Sequence, residues 1–319
     1  MNNQISFLVP PLAAESIEFE HSDDAIFEQK GTIEEILLLG PQIPIAAKLS
    51  RHQDQQPRIV LELVHLHATR DHIVLMDPTL LSIQADEEQA LRNSVTDTLD
   101  HYLGSHGEFF NSRWIYPAGD FLELQTHSPS LVSGLNMDIW MPKDTSTLGI
   151  AKKWRQLQNE IQMIWHDHPV NEARLERGEL PINSVWLYGI GCLTEITPHP
   201  LLNDVQQIFS NHYLGNSLDA RLNTLSLESI VPSKDHHHFV FAQDLTASEW
   251  EKYWQKSLSA LHKKELTQIQ LIHGHHGNFR QHHLSLKDLE LGLLTKIFRF
   301  QQRQNLQYPS WLEYSKKIL

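Results

Sequence analysis

Within residues 166–191, HDHPVNEARLERGELPINSVWLYGIG, three polar anchors fall in seven residues: His168, Asn171 and Arg174. Arg177 follows three residues later. A guanidinium presents its N–H donors in a rigid fork that suits a phosphate or carboxylate. Asn171 and Asn183 can donate to the same anion or tie down a loop. The stretch closes on Gly189-Ile190-Gly191 after an apolar run, where glycine admits close backbone approach. It is not a dinucleotide-binding fingerprint, because a third Gly and a helix start are missing. Two chemistries stay open from the residues alone. One is an anion pocket. The other is a structural corner, with Asn side chains on backbone groups and Arg side chains paired to nearby Glu.

Histidine is the second chemical feature. The chain has 21 His, clustered at 166–168, 236–238, 273–277 and 282–283. Imidazoles in HGHHGNFRQHH could take Zn(II) or Ni(II). Acidic partners at ligand spacing are missing, so no resident metal is expected, and Asp244, His275 and His276 are the metal-ligand candidates. The single cysteine, Cys192, excludes a disulfide framework and fits a reducing compartment. Beside the Gly-x-Gly turn it reads as a small buried residue.

The whole chain bounds these readings. Its 319 residues suit one large domain or two ordinary ones, and 40% hydrophobic with 20% charged residues supports a normal core. A formal net charge of -13 argues against nucleic acid, which needs Lys and Arg to displace counterions. No apolar run approaches membrane-spanning length, and the N-terminal ISFLVPPL lacks a preceding basic region. It reads as a first buried strand, and a cytoplasmic protein is expected.

Several elements must position the polar stretch. Thr32 and Glu35 make a capping box for TIEEILLLG, closed by Gly40. RIVLELVHLHA and DHIVLMD read as neighbouring strands. The spacing of Leu91, Val95, Leu99 and Leu103 predicts one helix over ADEEQALRNSVTDTLDHYL. RWIYPAGDFLELQT suggests a hairpin. In IAKKWRQLQNEIQMIW, Trp154, Leu157, Ile161 and Ile164 share a helix face, and the helix should end at His168-Pro169. SVWLYGIG and HFVFAQD read as buried strands. Thr246 and Glu249 box the start of a helix, and TQIQLIHG follows as a strand. Strands alternating with helices point to an α/β fold.

HPVNEARLERGELPINSVWLYGIG resembles a characteristic segment of the archaeal-type cofactor-independent phosphoglycerate mutases. There His-Pro-x-Asn, an Arg, a Gly, Pro-x-Asn and Trp-Leu-x-Gly-x-Gly occur in this order. The likeness extends upstream through LVHLHATRDHIVLMDPTLLSIQADEEQAL, SRWIYP, THSPS and SGLNMDIWMPK, covering roughly residues 57 to 195. It implies a three-layer α/β core of alkaline-phosphatase type, expected over 1–56 and 184–319. An inserted α+β domain is expected over 57–183. The resemblance carries Arg113, His168, Asn171, Arg174 and Asn183 over as anion-binding residues. For an active enzyme it also implies two divalent metals, such as Mn or Zn, and a Ser nucleophile.

Four departures stand against that machinery. The family's first strand ends in Asp-Gly, whereas ISFLVPPL has no acid before Glu15. In the stretch expected to hold the nucleophile, Ser50 is the one Ser, in surroundings that do not match. HHFVFAQDLTASEWEKYW offers Asp244, with Trp and Glu near the place of the family's His. IQLIHGHHGNF has His275-His276 where the family has Gly-Asp-His. The expectation is therefore a mutase-like chain that has lost its metal and nucleophile motifs and binds no cofactor. It would act as a binding or regulatory module for a small anionic metabolite or a protein partner. An active phosphotransfer enzyme and a structural scaffold are the alternatives.

Overall fold

The computed structural model describes residues 3–9, 29–104, 107–227, 236–243, 245–275, 278–288, 310–311 and 314–315. In chain order its elements begin with β1 (Gln4–Leu8), α1 (Ile33–Leu39), α2 (Ile45–Leu49), β2 (Arg58–Val64), β3 (Leu66–Ala68) and β4 (Ile73–Leu75). Next are α3 (Ala85–Ser94), α4 (Thr96–Leu103), β5 (Glu108–Phe110), β6 (Arg113–Pro117), β7 (Leu124–Gln125), α5 (Pro129–Val132), α6 (Met137–Trp140) and β8 (Lys143–Asp144). Then come α7 (Ile150–His166), α8 (Pro169–Glu176), β9 (Ser184–Gly191), β10 (Gln207–Ser210), β11 (Leu222–Thr224) and β12 (His237–Phe241). The series closes with α9 (Ala247–His262), β13 (Gln268–His275) and β14 (Asn278–Ser285). Met1–His21 with Pro200–Leu319 form one compact unit, and Ser22–His199 form another.

The first unit is α/β. Its six-stranded sheet has the order β11-β10-β12-β1-β13-β14, parallel except for β14. Side chains alternate across a strand, so β1 sends Ile5 and Phe7 to one face and Gln4 and Ser6 to the other. The first face packs with Val240, Ile269 and Leu271 against Trp250, Trp254, Leu258 and Leu261 of α9. The opposite face carries a hydrogen-bonded polar row: Ser6 Oγ lies 2.7 Å from His237 Nε2, and it donates to Gln270 Oε1 at 2.5 Å. The Thr246–Glu249 capping box that starts α9 forms as its residues predict.

The second unit holds the polar stretch. Its antiparallel sheet runs β5-β6-β2-β9. All seven residues of β2 are buried. One face of the sheet, with Ile59, Leu61, Trp114, Val185 and Leu187, meets Leu91, Leu99, Trp154, Leu157, Ile161 and Trp165. Each fully buried Leu or Ile there contributes roughly 1.5–3 kcal/mol.

Several expectations change here. Ile164 is 38% exposed and the α7 stripe runs instead through Trp165, which is fully buried. The helix predicted over 85–103 is two helices, α3 and α4, with Val95 between them at φ -119. Ser94 Oγ donates to the Leu91 carbonyl and Thr96 Oγ1 to the Arg92 carbonyl, so hydroxyls compete with the helix's own amides at the break. RWIYP does not fold back on FLELQT; β6 pairs with β2 and β5, while Leu124–Gln125 pairs with β8. Residues 184–191 form β9, hydrogen-bonded to β2, and α2 packs on β9 where Gly189 leaves no Cβ to meet Ile45.

The β5–β6 hairpin turns on Asn111 and Ser112, at φ 42 and 64. Two left-handed residues in a two-residue loop match the twist of the strands, but a β-carbon there costs about 1–2 kcal/mol. Ser112→Gly should therefore raise the unfolding free energy by about 0.5–1 kcal/mol after glycine's extra chain entropy. Denaturant titration reads this directly, and an unchanged or lowered midpoint would contradict the strained-turn assignment.

Candidate functional site

The stretch 165–183 folds as a helix-turn-helix-return built on polar side chains. Pro169 does not merely end α7. It opens α8 at a position where its missing N–H is no loss, with His168 as N-cap. His168 Nδ1 accepts the Val170 amide at 3.2 Å. Burial holds the His168 imidazole below its ordinary pKa.

Asn171 is buried and joins the two ends of the turn. Its amide nitrogen donates to the Trp165 carbonyl at 2.9 Å and to the Ile182 carbonyl at 2.8 Å. Its Oδ1 accepts the Ile182 amide at 2.7 Å. Asn183 does the same for the β2–β3 junction, accepting from Leu66 N at 2.8 Å and donating to Leu66 O at 2.9 Å. It behaves as a side-chain strand partner.

Arg174 is 1% exposed, and each guanidinium nitrogen has a protein acceptor. Nε donates to Leu180 O at 2.8 Å, Nη1 to Glu87 Oε2 at 2.6 Å and Nη2 to Leu81 O. Arg177 Nη2 reaches the other Glu87 oxygen at 2.5 Å and Glu179 at 2.8 Å. The hydrogen bonds from Arg177 hold the Glu179 carboxyl below its usual range. Glu87 also accepts the Gln84 amide that starts α3, so one buried carboxylate ties α3 to α8.

Arg113 sits elsewhere in the same unit. Its Nη2 lies 2.8 Å from Glu62 Oε1, and Tyr188 Oη donates to Glu62 Oε2 at 2.6 Å. Arg113 Nη1 also caps the hairpin through Asn111 O at 3.0 Å. The five residues carried over as an anion site thus divide between two carboxylate-centred networks and a set of backbone ties. Glu87 and Glu62 are the partners that the sequence reading missed. A Glu inside the otherwise apolar IVLELV was the available signal for Glu62, because a buried carboxylate must find a donor.

The glycines are packing devices. Gly189 has φ +66, and a Cβ there would lie 2.9 Å from Ile45 Cβ; at Gly191 it would lie 2.7 Å from Pro44 Cβ. Cys192 is half-buried rather than buried, with Sγ 3.1 Å from Thr194 Oγ1. Ser50 is a buried turn residue whose hydroxyl donates to Glu108 at 2.6 Å and accepts the His52 amide at 3.0 Å.

The parallel strand ends are where a two-metal centre would gather ligands. Here β1 runs into buried Leu8 and Val9, and β12 into Phe241 and buried Ala242. Asp244 and His276 lie outside the described residues, and His275 is described only as backbone of β13. Among the described residues, no group of three or more His, Cys, Asp or Glu could hold a metal ion. No described helix is long and apolar enough to cross a membrane.

No family model matches the chain. It is 27% identical over 135 residues to a 2,3-bisphosphoglycerate-independent phosphoglycerate mutase of Methanosarcina mazei, covering 40% of this chain and 32% of that protein. A probable enzyme of the same name from Geobacter sulfurreducens is 26% identical over 133 residues, 41% of this chain and 32% of that protein. The chain thus matches about a third of the length of these relatives. Among solved structures, a cofactor-independent phosphoglycerate mutase from Thermoplasma acidophilum aligns over 89% of this chain and 90% of its own, at 13% identity and TM-score 0.34. A Pyrococcus horikoshii protein aligns over 85% and 81%, at 10% identity and TM-score 0.32. These structural overlaps are low, and the likeness rests on the sequence matches: over about two-fifths of its length the chain is similar to 2,3-bisphosphoglycerate-independent phosphoglycerate mutases.

Proposed function

We propose that this chain is a phosphoglycerate-mutase-like module that does not interconvert phosphoglycerates and acts through interaction rather than turnover. The observation that supports it most is the end of β1. Where the resemblance implies a metal-binding Asp-Gly, ISFLVPPL carries no acid, and Leu8 and Val9 at the end of β1 are buried. The hydroxyl of Ser50 is already engaged by Glu108. The shared motif segment is retained in this reading because it folds the second unit.

Purified protein with 3-phosphoglycerate, with and without Mn(II), should give no 2-phosphoglycerate at enzyme-like rates. Metal-dependent turnover that disappears on Asp244→Asn or Ser50→Ala would overturn the proposal. It would place an active phosphotransfer centre on those residues.

A further inference from the structure

Helix α8 depends on one titratable acceptor. His168 Nδ1 takes the Val170 amide at 3.2 Å, so that nitrogen carries a lone pair and the ring is neutral, with its proton on Nε2. The His168 carbonyl accepts the Asn171 and Glu172 amides at 2.8 and 3.2 Å. A protonated imidazole has no acceptor left, and its charge would sit at the positive end of the helix dipole. The helix it caps carries Asn171 and Arg174, whose bonds hold Trp165, Ile182, Leu180, Leu81 and Glu87.

We infer that His168 is an acid-released latch. It caps α8 at neutral pH, and on protonation it frees the first turn and loosens the polar ties that follow.

The titratable and charged groups around this turn are His65, Glu87, His166, Asp167, Glu172, Arg174, Arg177 and Glu179. His166 and Asp167 pair with each other in solvent at 3.7 Å. Glu87 is held by Arg174 and Arg177, and Glu179 by Arg177. His65 points its Nδ1 at the Pro181 carbonyl at 2.8 Å. Glu172 lies one turn along α8. Burial is the cause of the lowered His168 pKa. The sign follows from linkage. The unfolded imidazole titrates near ~6.5 and the folded one lower, so the cap's contribution is complete above about pH 6.5 and is lost as pH falls below it.

Other histidines add the same sign, including His238, lowered to about 4 chiefly by burial. A local readout is therefore needed. Amide hydrogen exchange of residues 170–174, corrected for intrinsic rates, should be followed from pH 8 to 5 in the full chain and in His168→Asn. Asparagine is among the preferred N-cap residues and does not titrate. In the wild type, protection of these amides should fall by up to about tenfold per pH unit below 6.5. In the variant it should fall no more than in β2 and β9. His168→Ser serves as a second non-titrating cap if the first fails to fold. A folded capping variant whose α8 exchange parallels that of the wild type across the range would overturn the latch.

Discussion

Arg174→Ala is expected to lower the unfolding free energy by about 3–5 kcal/mol, the scale for removing one partner of a buried ion pair. Three losses coincide. The Glu87 carboxylate, 8% exposed, keeps Arg177 but loses its buried partner. The carbonyls of Leu180 and Leu81 lose their donors. A buried acceptor left without a partner costs about 1–3 kcal/mol. The three are coupled through one side chain, so they do not add in full. Arg174→Lys should recover little, because one ammonium cannot reach three acceptors set around a planar fork. Chemical denaturation checks this, and a loss below about 1 kcal/mol would show that the network contributes little to the fold.

Trp186→Ala should cost about 3–5 kcal/mol as well, by a different mechanism. The ring is fully buried on the face of the second sheet opposite α7, and its Nε1 donates to the His127 carbonyl at 2.8 Å. Truncation leaves a cavity and removes the indole's hydrogen bond to the chain's THSPS segment, where Thr126, His127 and Ser128 are all buried. Trp186→Phe should retain most of the packing and lose mainly the hydrogen bond, at about 1–2 kcal/mol. If both variants unfolded at the same denaturant concentration, the indole's hydrogen bond would outweigh its volume, contrary to this assignment.

What could be read from the sequence was local. The Thr32–Glu35 and Thr246–Glu249 boxes form because cap and acid lie three residues apart. The apolar runs of β9, β12 and β13 announced buried strands. The side-chain types of the polar stretch were legible too, but their destinations were not. Glu87 lies 87 residues from Arg174, and no local pattern pairs them. An Arg, two Asn and a Gly-x-Gly serve an anion site and a folded corner equally well; only the acceptors decide between them. The pairing of residues 184–191 was hidden for the same reason. Whether 184–191 joins the parallel sheet or pairs with β2 is settled by contacts more than a hundred residues apart, including the close approach of Ile45 to Gly189.

The most direct test of the corner assignment is calorimetric titration of 3-phosphoglycerate into the wild-type protein and Arg174→Ala under conditions where both are folded. With each guanidinium nitrogen already committed to a protein acceptor, neither protein should show saturable binding at millimolar ligand. Micromolar binding by the wild type, weakened at least about tenfold by the substitution (about 1.4 kcal/mol), would contradict the assignment and restore Arg174 as an anion ligand.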